Sequence, residues 1–247
     1  MDNELRPFWD SLFNFNWKFG LCLILIICIP RFILVLNANS GGNNGYVGLI
    51  MAISGIAPFL FLSKFGREKI GIVKPKNYSW LITAFVAGLS ASILLYALGQ
   101  FFYGNSYENW YNYTGKNFKI PVGINPSNKA NLFIINALIV MTFSPIGEEF
   151  FFRGIVHSSF AKSIGDKKAS FVDSSAFALT HIAHFGLVFI NNQWKFLTIP
   201  TLIWVLSMFS ISVLFFIFKK QVGAIWGAVA CHSAFNLGMV YCIFYLM

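Results

Sequence analysis

A run of about 20 apolar residues has one stable form in a bilayer. It must be a helix, because lipid offers no partner for an open backbone N–H or C=O. The chain contains seven such runs, at about 17–37, 46–63, 79–103, 131–153, 168–190, 196–218 and 223–246. The first is interrupted by Pro30 and Arg31, and the fourth carries charge and is expected to continue as helix to about 162. Hydrophobic residues make up 57% of the chain and charged residues 11%, against about 25% charged in a soluble domain. The expected fold is all-α: a polytopic transmembrane helical bundle of about seven spanning helices. It forms one membrane domain over 1–247, with scaffold helices in 1–103, an outer interfacial loop at 104–130 and the working half in 131–247.

The formal charge is +9, but the basic residues fall in loops between apolar segments. Lys64, Arg67, Lys69, Lys74 and Lys76 lie in one loop, Lys162, Lys167 and Lys168 in another, and Lys219 and Lys220 in a third, while residues 38–45 carry none. Such alternation sets topology and does not indicate nucleic acid. It puts the N-terminus in the cytoplasm and the C-terminus outside. Asp2, Glu4 and Asp10 stand against Arg6 and Lys18 at the N-terminus, unlike the basic start of a signal peptide, so the first apolar segment is expected to be retained. The loop from Tyr103 to Ala130 holds Trp110, Tyr111, Tyr113 and Phe118. Aromatics of this kind favour the headgroup level, and a substrate-gating lid is the alternative. Cys22, Cys28, Cys231 and Cys242 form no C-x-x-C pair and are expected to be inert buried thiols.

Charge inside the apolar segments is costly and marks function. All four histidines, His157, His181, His184 and His232, lie in the C-terminal half, and the first three segments carry no acidic residue. The fourth segment holds S-P-I-G-E-E-F-F-F-R over Ser144–Arg153. At about 100° per residue, Glu149 and Arg153 can pair, with His157 a turn further on, while Glu148 points about 140° from Arg153. Glu149 is then braced, and Glu148, without a cation, is left as the candidate general base. One structural ion cluster of both glutamates and Arg153 is the alternative. Pro145 and Gly147 look like a kink or a simple bend. Phe177 and His181 are four apart, with His184 on nearly the same face, and Asp173 reads best as a helix cap. His232 and Asn236 stand one above the other, either as donors to a developing oxyanion or as a packing pair. Rise per residue places Glu148 roughly 8 Å, His232 roughly 14 Å and His181 roughly 20 Å from the cytoplasmic ends of their helices.

Glu148-Glu149-x-x-x-Arg153, Phe177-x-x-x-His181 and His232-x-x-x-Asn236, in that order on late apolar segments, resemble the three motifs of the CAAX protease and bacteriocin-processing (Abi) family. The resemblance covers roughly 131–247, which it makes the protease core helices. It implies a glutamate-dependent intramembrane endopeptidase. Glu148 with His181 would activate a water, His232 and Asn236 would stabilise the oxyanion, and Glu149 and Arg153 would complete the first motif. His157, His184 and Asp173 receive no role from it. No cofactor is implied, although a metal held by Glu148, His181 and His232 stays open, since carboxylate and imidazole suit zinc. The expected setting is the bacterial cytoplasmic membrane. The expected partners are lipids and a peptide or membrane-protein substrate, such as a bacteriocin or quorum-sensing pheromone precursor, with self-immunity as another outlet. A non-catalytic membrane scaffold and a transporter or proton relay are the competing readings.

Overall fold

The computed structural model describes residues 3–43 and 45–247, so Asp2, named above, and Asn44, within the uncharged stretch 38–45, lie outside the described residues. Helix α1 spans Trp17–Asn39, opened by the Asn16 side chain, which accepts from the Lys18 and Phe19 N–H groups. Helix α2 is Gly45–Phe61 and α3 is Ser79–Tyr103, with the short helix Lys64–Lys69 between them. A single turn and a half, α4, covers Trp110–Gly115. Helix α5 runs without a break from Pro126 to Ile164, starting from an Asn125 cap with Pro126 at its first position. Helix α6 is Asp166–Thr180, followed by a 3-10 turn at His181–Ala183. Strands β1, Leu187–Ile190, and β2, Gln193–Phe196, form an antiparallel hairpin. Helices α7, Thr198–Val222, and α8, Trp226–Tyr245, complete the chain.

The all-α membrane bundle stands, and the chain is a multi-pass membrane protein, but the count of spanning helices changes. Among the described residues five helices, α1, α3, α5, α7 and α8, are long and apolar enough to cross a membrane, and α2 is a shorter apolar helix. The run at 168–190 does not span as a helix. Helix α6 has 15 residues and stops at Thr180. Gly186 then turns the chain at φ 130°, and Asn191 and Asn192 adopt φ 51° and 61° at the hairpin tip, the left-handed pair that a tight two-residue hairpin requires. Apolar composition alone does not separate a long helix from a short helix followed by a strand.

Hydrogen bonds define two ends. At one, Glu4 meets Lys69 and Lys162, Asp166 meets Lys220, and the Gly71 carbonyl accepts from the Ile225 N–H. At the other, Asn39 donates to the Ala183 carbonyl, Asn117 donates to Asn39, and the Phe189 N–H donates to the Tyr113 hydroxyl. The α6–hairpin unit runs from the first end to the second, although α6 itself is too short to count among the spanning helices. Apolar side chains such as Ile82, Phe101, Phe143 and Leu206 are exposed on the outside, the expected surface toward lipid. Helices α3 and α8 cross closely at Gly88, where an added Cβ would lie 2.0 Å from the Cys231 carbonyl oxygen.

Three aromatics of the 104–130 segment are packed within the protein. Trp110, Tyr111 and Tyr113 are buried. The Trp110 indole donates to the Leu95 carbonyl and its ring packs on Phe185 and Trp204, while Tyr111 bonds Ser92. Each of these rings is thus buried with its polar tip satisfied.

Candidate active site

Glu148 and Glu149 end the α-helical part of α5, and Phe150–Val156 continues as seven residues of π-helix. A π-helix bonds i to i+5 and is common at functional sites. Every residue of the π stretch is buried. The Glu149–Arg153 pair expected from four-residue spacing forms, at 3.2 Å, with both side chains fully buried. His157, by contrast, leaves that pair alone. Its Nδ1 lies 2.6 Å from Asp173 and its Nε2 3.2 Å from Asp166. Asp173 is therefore no helix cap. It sits inside α6, fully buried, with Arg153 4.0 Å away on its other side.

Arg153 also donates to the Ser212 hydroxyl at 2.5 Å and lies over the Phe177 ring at 4.4 Å. Glu149 has a second partner, His232, whose Nδ1 is 2.7 Å from its carboxylate. A carboxylate only accepts, so Nδ1 carries the proton and Nε2 is the His232 atom left for other chemistry. The ring is held flat against Phe215, at 4.6 Å and 13°.

Glu148 is not without a cation. Arg31 of α1 reaches it with Nη2 at 2.9 Å, and the Ser144 hydroxyl donates to the same oxygen at 2.6 Å. Both members of the pair are buried, and Glu148 Oε2 and Arg31 Nε have no hydrogen-bond partner among the described residues. Arg31 is the residue that sequence reasoning missed. It stands 117 positions from its partner, and no local spacing signals such a pair.

His181 lies just past the end of α6. Its Nδ1 is 2.7 Å from the Phe177 carbonyl oxygen. A carbonyl cannot donate, so Nδ1 bears the hydrogen and Nε2 presents a lone pair. The His181 carbonyl in turn accepts from the Trp204 indole at 2.9 Å. The Phe177 bond satisfies a last-turn carbonyl of α6, and the His181 carbonyl also accepts from the His184 and Phe185 N–H groups.

Pro145 and Gly147 both act through neighbouring helices. Proline has no N–H for the carbonyl four residues back, which here is Met141. That carbonyl accepts from the Ser233 hydroxyl at 2.6 Å, and the Val140 carbonyl accepts from Asn236 Nδ2 at 2.9 Å. Helix α8 is thus docked on α5 by residues one and four positions after His232. Gly147 is a crossing point: a Cβ there would stand 2.5 Å from the Met51 carbonyl oxygen of α2.

A cavity of about 400 Å³ is lined by Arg31, Glu148, His181, His184, His232 and Asn236. All four candidate catalytic residues therefore meet at one space, whose other walls are mostly apolar. It extends toward the end of the bundle bearing Asn39, Thr114, Asn117 and Phe118. Because α5 continues to Ile164, Glu148 stands roughly 20 Å from the basic end of its helix, and the shallow depth expected for it does not hold.

Residues 130–238 match the family described as type II CAAX prenyl endopeptidase Rce1-like. Through that stretch, which is under half of its length, the chain is similar to the CAAX protease family. The match begins in α5 and covers all three motifs, and the family is that of CAAX-type intramembrane proteases in general. Helices α1–α3, including Arg31, lie outside the stretch that matches the CAAX protease family. Searches of curated proteins and of solved structures found no match.

Proposed function

We propose that the chain is an intramembrane endopeptidase that hydrolyses a peptide bond with a water activated between Glu148 and His181. The observation that carries this is the single cavity lined by Glu148, His181, His232 and Asn236, within a segment matching a protease family. The water oxygen attacks the scissile carbonyl carbon, and its proton passes to His181 Nε2, the lone pair left by the Phe177 contact. His232 Nε2 and the second amide hydrogen of Asn236 Nδ2 donate to the oxyanion. For His232 this requires a proton on Nε2 as well as the one that Nδ1 shares with Glu149, whose carboxylate orients the ring as a buried carboxylate does in a hydrolytic triad. Collapse of the tetrahedral intermediate breaks the C–N bond, and the proton held by His181 goes to the leaving amine. Substrates in keeping with a narrow, apolar cavity are short or membrane-associated peptides, such as bacteriocin or pheromone precursors. Lysines and arginines cluster at the end of Lys69, Lys162 and Lys220, so the positive-inside rule puts that end in the cytoplasm and the cavity mouth outside.

Cleavage by the purified protein in lipid tests this reading. Candidate precursor peptides should be cut by wild type, whereas Glu148→Gln and His181→Ala should lose at least about 10²-fold in kcat/KM, the low end for a general base. Chelator should leave the rate unchanged. An Glu148→Gln variant as active as wild type, or full inhibition by chelator reversed by zinc, would overturn the mechanism.

A further inference from the structure

Arg31 is a buried cation in a helix that is otherwise almost wholly apolar, and such a residue is kept only with a partner or a task. Its relative exposure is 3%, and its hydrogen bond among the described residues goes to Glu148. The contact is end-on, through Nη2 alone, with Nε unpartnered. Other titratable groups facing Glu148 are His181 and His184 after α6, His232 on α8 and Cys28 on α1. Helices α2 and α7 face the cavity with uncharged residues only, among them Met51, Trp204, Met208 and Phe215. Arg31 is thus the one fixed positive charge on the cavity wall among the described residues, because arginine does not deprotonate in proteins.

We propose that Arg31 is a positioning residue of the hydrolytic site, which anchors the Glu148 carboxylate in its ionised form and fixes its direction toward His181. The proposal rests on the peptidase reading of this site. An ionised Glu148 paired with a guanidinium is a weak proton acceptor and a good hydrogen-bond acceptor. It orients the water, and His181 Nε2 takes the proton. The site therefore needs a residue from α1, outside the segment that matches the protease family.

The test uses the full chain in lipid nanodiscs as wild type, Arg31→Met, Arg31→Gln, Arg31→Lys, and Arg31→Met combined with Glu148→Gln. The first readout is the pH profile of cleavage of a fluorogenic peptide, selected from a random library for Glu148-dependent cutting. Without Arg31, Glu148 binds a proton more readily, so the acid limb should move up by at least about one pH unit, with kcat falling and KM nearly unchanged. Arg31→Lys should restore the limb in part, and Arg31→Gln covers the case in which Arg31→Met fails to fold. The second readout needs no activity. Infrared difference spectra at neutral pH should reveal a protonated carboxyl in Arg31→Met that is absent from wild type and from the double variant. An unmoved acid limb together with no new carboxyl band would overturn the proposal, even where the variant is less stable. If no library peptide is cut in a Glu148-dependent way, the peptidase reading fails, and the infrared band alone decides whether Arg31 holds Glu148 ionised.

Discussion

Arg153 joins three helices through one side chain: Glu149 on its own helix, Asp173 on α6 and Ser212 on α7. Removing one partner of a buried pair leaves the other charge stranded, at a cost of about 3–5 kcal/mol. Arg153→Met should lose about that much in chemical unfolding in detergent, and a combined Glu149→Gln change should return part of it. Residue-scale chemistry was largely legible in the sequence. Glu148, Glu149, Arg153, His181, His232 and Asn236 stand out because local spacing puts them on helix faces where ionisable groups are rare. The same logic misassigned the lone carboxylate. Glu148 looked unpaired because its cation is on another helix, and Asp173 looked like a cap because its partners, His157 and Arg153, belong to α5.

At the scale of elements, close backbone approach decides more than side-chain pairing. Gly147 permits α2 to lie against α5 one residue before Glu148. Gly147→Leu would drive a side chain into the Met51 carbonyl and push the helices apart. The expected outcome is a protein that still inserts into the membrane, has a lowered thermal midpoint and shows at least about tenfold less cleavage, since displacement of about 1 Å at a site can cost 10²-fold. Helix extents were readable wherever an apolar run had polar ends. The run 79–103 is the helix Ser79–Tyr103 itself. Reading failed at 168–190, where Gly186 and the Asn191-Asn192 tip break an apolar run without polar punctuation. The π stretch was equally silent, because nothing in F-F-F-R-G-I-V marks a change from i→i+4 to i→i+5 bonding.

Across the whole molecule, the two ends differ in chemistry. The basic end is tied by ion pairs in water. There the Lys220 ammonium, 2.5 Å away, holds the Asp166 carboxyl below the usual range against partial burial, with His157 helping. A depressed carboxyl contributes stability above its unfolded pKa of about 3.9 and loses it as pH falls through the folded value. Asp166→Asn should therefore lower the thermal midpoint slightly at pH 7, and flatten its decline below about pH 4. The pair is half exposed, so the effect is small and fades with salt. The opposite end of the bundle leads into the cavity. On its wall, catalysis and folding are bound together in one ion pair, because Glu148 and Arg31 are each other's buried partner. Glu148→Gln should therefore yield an inert protein that also has a lowered thermal midpoint, and adding Arg31→Met should return part of that loss. Lineages of this chain that abandon hydrolysis and survive as adaptors are then expected to keep the glutamate and the arginine together, or to discard both.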